Sequence, residues 1–309
     1  MTDAGVRHVP VLLEETMEFL QVRSGGTYVD CTLGLGGHAE AILRRLGPSG
    51  RLVGFDRDAQ AMALAKGRLD GVLGRIRSET GDGGAQVTLI HEAFSTVSRH
   101  LALESADGIL ADFGASSLQF DEAHRGFSFQ AEGPLDMRMD TRSGPTAEQV
   151  VNEASERELA DLIYEFGEER RSRTVARAIV RGRPISTTRQ LARIVASAVP
   201  PMKNSPIHPA TRTFQALRIY VNRELDEIRA LFEAAPRLLK PSGRLVVISF
   251  HSLEDRIAKD NLRDGAREGI WKILTRKPVT AGEEEIGRNP RSRSAKLRAA
   301  EKQASGTRN

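Results

Sequence analysis

The chain has 309 residues, 45 of them basic and 41 acidic, with a net charge of +4 and a pI near 9.4. That length allows one large domain or two modest ones, and so mild a basic excess does not by itself signal nucleic-acid binding. The single cysteine excludes an internal disulfide, a four-cysteine zinc site and a cysteine-held iron–sulfur cluster, and with the cluster it excludes the usual basis for radical chemistry. No apolar run approaches membrane-spanning length, and the amino terminus lacks a signal peptide's basic and apolar regions. The expectation is a soluble, cytoplasmic protein with no membrane partner and no metal.

In chain order, His8–Leu13 precedes a predicted helix at Glu14–Leu20 that braces a sheet or covers a ligand. Tyr28-Val29-Asp30 reads as an apolar strand ending in a carboxylate. It breaks into the glycine-rich turn Cys31-Thr32-Leu33-Gly34-Leu35-Gly36-Gly37-His38 and then a helix at Ala39–Leu46. Strand, turn and helix in that order leave backbone N–H groups free to meet a cofactor at the carboxyl end of a sheet. A second strand, Arg51–Phe55, leads to Asp56, twenty residues beyond Gly36. A carboxylate at that distance accepts hydrogen bonds from ribose hydroxyls.

Two cofactors fit this layout, and Gly34-Leu35-Gly36-Gly37-His38-Ala39 also satisfies the loose dinucleotide pattern. Asp30 separates them. It repels a pyrophosphate across a partly desolvated site and attracts the cationic amino-acid part of S-adenosylmethionine. The methyl donor is favoured over a nicotinamide dinucleotide, and an ordinary tight turn is the third reading. Cys31 lies inside the turn, a poor place for a nucleophile, so methyl transfer would be a direct displacement.

Ala59–Leu69 has helical periodicity, Ser78–Ala85 reads as a loop, and Gln86–His91 is a third strand. Phe94, just beyond it, either stacks on an adenine or packs in the core. Asp107–Asp112 is a fourth strand, again ending in an acid. Strands alternating with helices predict a parallel sheet covered on both faces. The alternation stops at about Gln119 and resumes after Thr213. Ser155–Glu158 and Thr187–Gln190 are helix capping boxes between those limits. The predicted architecture is an α/β domain from 1–118 and 214–309, interrupted by an all-helical insertion at 119–213. A helix containing Ala216–Leu239, a strand at Gly243–Phe250 and two short strands near Trp271–Arg276 and Ala295–Ala299 complete the sheet domain.

Charge within the insertion is segregated. Residues 144–169 carry eight acids and one base, whereas residues 170–193 carry eight arginines and no acid. Arg173, Arg177 and Arg181 share one helix face, which either pairs with the acidic neighbour or meets phosphates. The tail from Arg288 to Asn309 adds seven bases against one acid, either solvated or a second RNA contact.

Seven motifs in order point to one family. They are Asp30–His38, Ala111–Gln119, Arg125–Phe129, Gly133–Asp140, His208–Arg212, Ile248–Arg256 and Asn289-Pro290-Arg291. Together they resemble the bacterial 16S ribosomal RNA cytosine-N4 methyltransferases, the RsmH or MraW family, from His8 to about Glu301. The resemblance implies a Rossmann-like class I methyltransferase sheet with an inserted helical domain for substrate recognition. It implies that Gly36, Gly37, His38, Asp56, Phe94, Asp112 and Gln119 contact S-adenosylmethionine. The implied substrate is a cytidine in the decoding region of 16S rRNA within the 30S subunit; a homodimer is left open. Phe113 and Ala115 depart from the Leu and Val of the family pattern, and the loop around Gly81–Gly84 is longer.

A cytosine amino group is a poor nucleophile, because its lone pair is delocalised into the ring. An acceptor pulling on an N–H helps to rehybridise it, and Asp112 at the end of the fourth strand is the catalytic candidate, unless cofactor binding occupies it. Asp136, Arg138 and His251 are candidates for holding the base or its phosphate. Arg173, Arg177, His208 and Arg212 complete the substrate-binding candidates. A ribosome-assembly factor that binds RNA without turnover is the remaining alternative.

Overall fold

The computed structural model describes residues 10–81, 84–199 and 208–304. His8 and Val9 of the leading segment, residues 82–83 of the glycine-rich loop and residues 305–309 of the basic tail lie outside the described residues. The chain opens with α1 (Leu13–Leu20), β1 (Thr27–Asp30), α2 (Gly37–Leu46), β2 (Arg51–Phe55), α3 (Ala59–Thr80), β3 (Gln86–Ile90), α4 (Val97–His100) and β4 (Ala106–Asp112). A helical stretch follows: α5 (Ser117–Asp121), α6 (Ala147–Glu153), α7 (Glu156–Gly167), α8 (Ser172–Arg181), α9 (Thr188–Ala198), α10 (Thr211–Asn222) and α11 (Glu224–Leu238). The last elements are β5 (Leu239–Ser249), α12 (Ser252–Arg267), β6 (Trp271–Ile273), α13 (Glu283–Arg288) and β7 (Lys296–Lys302).

The strands form one sheet in the order β3-β2-β1-β4-β5-β7-β6. The pairs from β3 through β5 are parallel, and β7 runs antiparallel between β5 and β6. The central strands are buried on both faces, which is why Tyr28-Val29, Leu52-Val53 and Leu245–Ile248 read as apolar runs rather than alternating ones. From β1 the chain winds outward to β2 and β3, then returns across β1 to β4 and β5. Winding therefore reverses between β1 and β4, and open α/β sheets bind ligands outside the carboxyl ends at such a point. This is the expected α/β, Rossmann-like sheet.

Two segments differ from their predicted form. Helix α3 continues through Thr80, where Ser78 was expected to begin a loop. Ala61, Ala65, Leu69, Val72 and Leu73 keep the buried stripe running. Gly67, Gly71 and Gly74 lie on the open side, where an added Cβ would touch nothing within 4 Å. Each glycine costs the helix up to about 1 kcal/mol, less than about 1.5–3 kcal/mol from burying one such leucine or valine. The expected single helix over Ala216–Leu239 is two helices, broken where Arg223 turns left-handed (φ 51°) and donates its N–H to the carbonyls of Ile219 and Tyr220. Both predicted capping boxes form, and Ser116–Gln119, Thr146–Gln149 and His251–Glu254 make three more.

The chain packs as two compact units, Met1–Gly114 with Asp226–Asn309, and Ala115–Leu225. Each has its own apolar core. In the sheet unit, Leu12, Ile42, Leu52, Leu69 and Leu110 close around the strands. In the helical unit, Leu159, Ile163, Val175, Ile179, Leu191 and Leu217 fill the space between α7, α8, α9 and α10.

Candidate active site

Three carboxylates stand at the carboxyl ends of neighbouring strands in the sheet unit: Asp30 on β1, Asp56 just past β2 and Asp112 on β4. Register fixes them, since Asp30 lies opposite Gly54 on one side and Leu110 on the other. Thr32 ties two of the ends together. Its backbone N–H donates to Asp30 Oδ1 at 3.1 Å, while its Oγ1 accepts from the Asp112 N–H at 2.6 Å. Asp56 ties in the turn, accepting from Gly34 N–H and Asp58 N–H, each at 2.8 Å. The acids thus position the loop that lies between them.

The turn itself needs its glycines. Gly34 and Gly36 have φ of 51° and 76°, in the left-handed region where a side chain is strained. Gly36 is the N-cap of α2, and a Cβ on Gly37 would lie 2.3 Å from Pro10 Cγ. His38, buried in the first turn of α2, donates from Nε2 to the Val11 carbonyl at 3.0 Å. Its Nδ1 faces Asp112 Oδ2 at 3.9 Å.

Among the described residues none of the three acids has a lysine or arginine ion-pair partner. Asp30 is 1% exposed; burial, with a smaller push from Asp56, raises its carboxyl to about 7, although the Thr32 N–H works against the shift. Burial pushes Asp112 well above the usual carboxylate range, and Asp30 and Glu254 add to the push. Burial also raises Asp56, opposed by the N–H groups of Asp58 and Gly34. Asp30 Oδ2 and Asp112 Oδ1 are buried with no hydrogen-bond partner among the described residues. Buried acceptors of that kind are costly, and a ligand bearing positive charge relieves the cost. The sulfonium and ammonium of S-adenosylmethionine meet that requirement, whereas a pyrophosphate would add charge of the same sign.

Other predicted residues sit around this edge. Phe94, after β3, packs its ring 6.2 Å from that of Phe113, which follows Asp112. His251, after β5, is the N-cap of α12. It receives the Glu254 N–H on Nδ1 and sets Nε2 3.1 Å from Glu254 Oε1. Cys31 is buried, and burial followed by Asp30 pushes its thiol well up, so it is a poor nucleophile. Thr32 and Asp58, whose Oδ1 caps α3, are participants the sequence reading missed. The only sequence signal for Thr32 was a hydroxyl two residues after a strand-end acid.

The remaining candidates belong to the helical unit. Gln119 is buried in the capping box of α5, its Oε1 accepting from Ser116 N–H at 3.0 Å. Arg138 forks onto Asp136 with Nε and Nη2 at 2.8 and 2.9 Å. Burial raises the Asp136 carboxyl, but the hydrogen bonds from Arg138 prevail and hold it below its usual value. The loop around this pair is held by Arg125, which donates to the carbonyls of Arg138 and Met139, and by Asn222, which bonds to Met137 O and Met139 N. His208 stacks on Phe129 with ring centroids 4.7 Å apart, and Arg212 donates to the Glu168 carbonyl at 2.9 Å. Arg173, Arg177 and Arg181 are all exposed on α8. Arg177 pairs with Glu156 of the acidic helix at 3.3 Å; Arg173 and Arg181 have no ion-pair partner among the described residues.

Winding reversal, glycine turn and an unneutralised acidic edge define the class: an S-adenosylmethionine-dependent methyltransferase. The strand-end acids and the turn of Gly34–His38 are the residues that could hold its cofactor. The chain belongs to the MraW methylase family, whose model matches residues 5–303. It is similar to the Ribosomal RNA small subunit methyltransferase H of Acidobacterium capsulatum, 67% identical over 296 residues that cover 96% of this chain and 98% of that protein. The protein of the same name from Koribacter versatilis is 59% identical over 295 residues, covering 95% and 93%. That of Sorangium cellulosum is 52% identical over 302 residues, covering 96% and 91%. No described helix is long and apolar enough to cross a membrane.

Proposed function

We propose that this protein methylates the exocyclic N4 of a cytidine in the decoding region of 16S rRNA, acting on the 30S subunit in the cytoplasm. The names of its relatives support a small-subunit rRNA substrate. The observation that carries the amine reading is Asp112 Oδ1, a buried acceptor without a partner among the described residues. S-adenosylmethionine supplies the methyl group in electrophilic form. Asp30 and Asp56 hold its cationic and ribose parts, Gly36, Gly37 and His38 line it, and Phe94 offers a face to its adenine. Gln119 belongs to the same proposed set. Asp112 Oδ1 accepts an N–H of the cytosine amine, which draws the nitrogen lone pair out of conjugation and holds the amine for attack.

The helical unit Ala115–Leu225 is the proposed RNA-recognition part. Arg173 and Arg181 are its phosphate contacts, and Asp136, Arg138, His208 and Arg212 its further substrate contacts; His251 is a substrate candidate on the sheet unit. Incubating the protein with S-adenosylmethionine and 30S particles, then digesting the rRNA for nucleoside mass spectrometry, tests the reading. N4-methylcytidine is expected. 5-Methylcytidine, or RNA trapped covalently on Cys31, would overturn it, because methylation at C5 needs a thiol that first adds to C6 of the ring, and this thiol is buried and pushed toward its protonated form.

A further inference from the structure

We propose that His38 is a positioning residue that forms a proton-sharing dyad with Asp112, so that Asp112 takes a proton from the methylated amine at Oδ1 while passing its own from Oδ2 to His38 Nδ1. The inference rests on the reading above, in which Asp112 faces the amine. Three features of the sheet unit carry it. A carbonyl oxygen can only accept, so the 3.0 Å contact of Nε2 with Val11 O places the ring hydrogen on Nε2. In the neutral ring Nδ1 is then an acceptor, and it faces Asp112 Oδ2 at 3.9 Å. Finally, the two carboxyl oxygens differ. Oδ2 looks to His38, whereas Oδ1 is buried and without a partner among the described residues, and Thr32 Oγ1 holds the Asp112 backbone in place.

The exchange balances. At the amine the N–H bond breaks and its electrons stay on nitrogen; the proton bonds to Oδ1. The Oδ2–H bond breaks and that proton bonds to Nδ1. After the product leaves, the reverse exchange returns a proton to water at Oδ1. The carboxyl never carries full charge beside Asp30 and Glu254, the acids that face it, and Asp56 in turn faces Asp30. The 3.9 Å gap must close to hydrogen-bond length when Oδ2 carries a hydrogen to donate.

Two measurements test the dyad. The ring nitrogens of His38 in the free protein, followed by ¹⁵N NMR near neutral pH, should show hydrogen on Nε2 and a bare Nδ1. A hydrogen on Nδ1 would overturn the proposal. The second uses His38→Gln, whose amide N–H can still reach the Val11 carbonyl but which has nothing in place of Nδ1. At saturating S-adenosylmethionine it should methylate 30S particles about 10- to 100-fold more slowly. Its rate should also climb steadily with pH, because only an ionised Asp112 can then take the proton, whereas the wild-type profile should be bell-shaped. A wild-type rate and profile in His38→Gln would overturn the dyad, since a purely structural His38 is replaced by the retained contact. Should that variant not fold, the wild-type tautomer decides alone. The NMR readout needs no substrate, so a failure to methylate 30S particles counts against the cytidine reading and leaves the dyad to the tautomer.

Discussion

The two units of this chain treat charge in opposite ways. At the carboxyl edge of the sheet, Asp30 and Asp112 carry buried oxygens with no partner among the described residues, and all three strand-end acids are shifted upward by burial. In the helical unit the buried or half-buried charged and amide groups around the Met137–Met139 loop are spent on structure: Arg125 and Asn222 pin backbone, and Arg138 forks onto Asp136. Arg173 and Arg181, which have no ion-pair partner among the described residues, are instead exposed. A small cation that must be held tightly calls for pre-organised, dehydrated acids, which lower the stability of the free protein. A long polyanion calls for exposed cations that release counterions on contact.

The largest expected effect falls on the sheet edge. Asp112→Asn should lower the methylation rate by about 10²- to 10⁴-fold, with a much smaller change in S-adenosylmethionine affinity by calorimetry. Equal losses of rate and affinity would instead make Asp112 mainly a cofactor ligand. Next in size, Asp56→Ala should weaken cofactor binding by roughly 1.5–3 kcal/mol, the range for charge-assisted hydrogen bonds. Part of that loss comes through the turn, because the Gly34 and Asp58 N–H groups lose their acceptor. Unchanged affinity in a folded variant would remove Asp56 from the site.

On the helical unit the effects should be smaller and confined to RNA. The double substitution Arg173→Glu, Arg181→Glu should weaken 30S binding and lower the slope of log affinity against log salt by about 1–2, leaving cofactor affinity intact. Arg177→Ala is the internal contrast. Its pairing with Glu156 is exposed, with side chains 58% and 44% accessible, so its loss should cost stability less than about 1 kcal/mol and move the salt slope less. If Arg177 matters most to RNA and the other two not at all, the division between paired and unpaired arginines is wrong.

Much of the sheet edge was legible in the sequence because it is local. An apolar run ending in an acid, a glycine turn and a second acid twenty residues later occupy consecutive chain, and the 3.6- and 2-residue periods set the elements on either side. What escaped depends on pairing between distant segments. Nothing in the spacing shows Thr32 reaching Asp112 eighty residues away, or Nδ1 of His38 turned toward the same acid. The arginine stripe on α8 was visible, yet which of its members is neutralised depends on where α7 places Glu156. Asp136 and Arg138 were visible as polar residues two apart, but their fork onto each other comes from a loop held by Arg125 and Asn222. The extent of α3 was hidden for a different reason: glycines argue against a helix unless they are known to face open solvent.

The claim that unites these points is that Asp30 awaits a cation. A carboxyl whose folded value lies above its unfolded one keeps its proton longer in the folded state. Asp30, near 7 against an ordinary 3.8, therefore makes the free protein less stable as pH rises from 4 to 7. The same ionisation prepares it for the cofactor, so binding should be strongest above that window and weaken as pH falls through it. Calorimetry of S-adenosylmethionine binding at pH 5.5 and 7, in buffers of different ionisation enthalpy, measures this directly. The account predicts affinity weaker by about tenfold at pH 5.5, from roughly one decade per unit below the carboxyl's pKa. It also predicts net proton release on binding near pH 6, lost in Asp30→Asn. Affinity independent of pH with no proton released would contradict it.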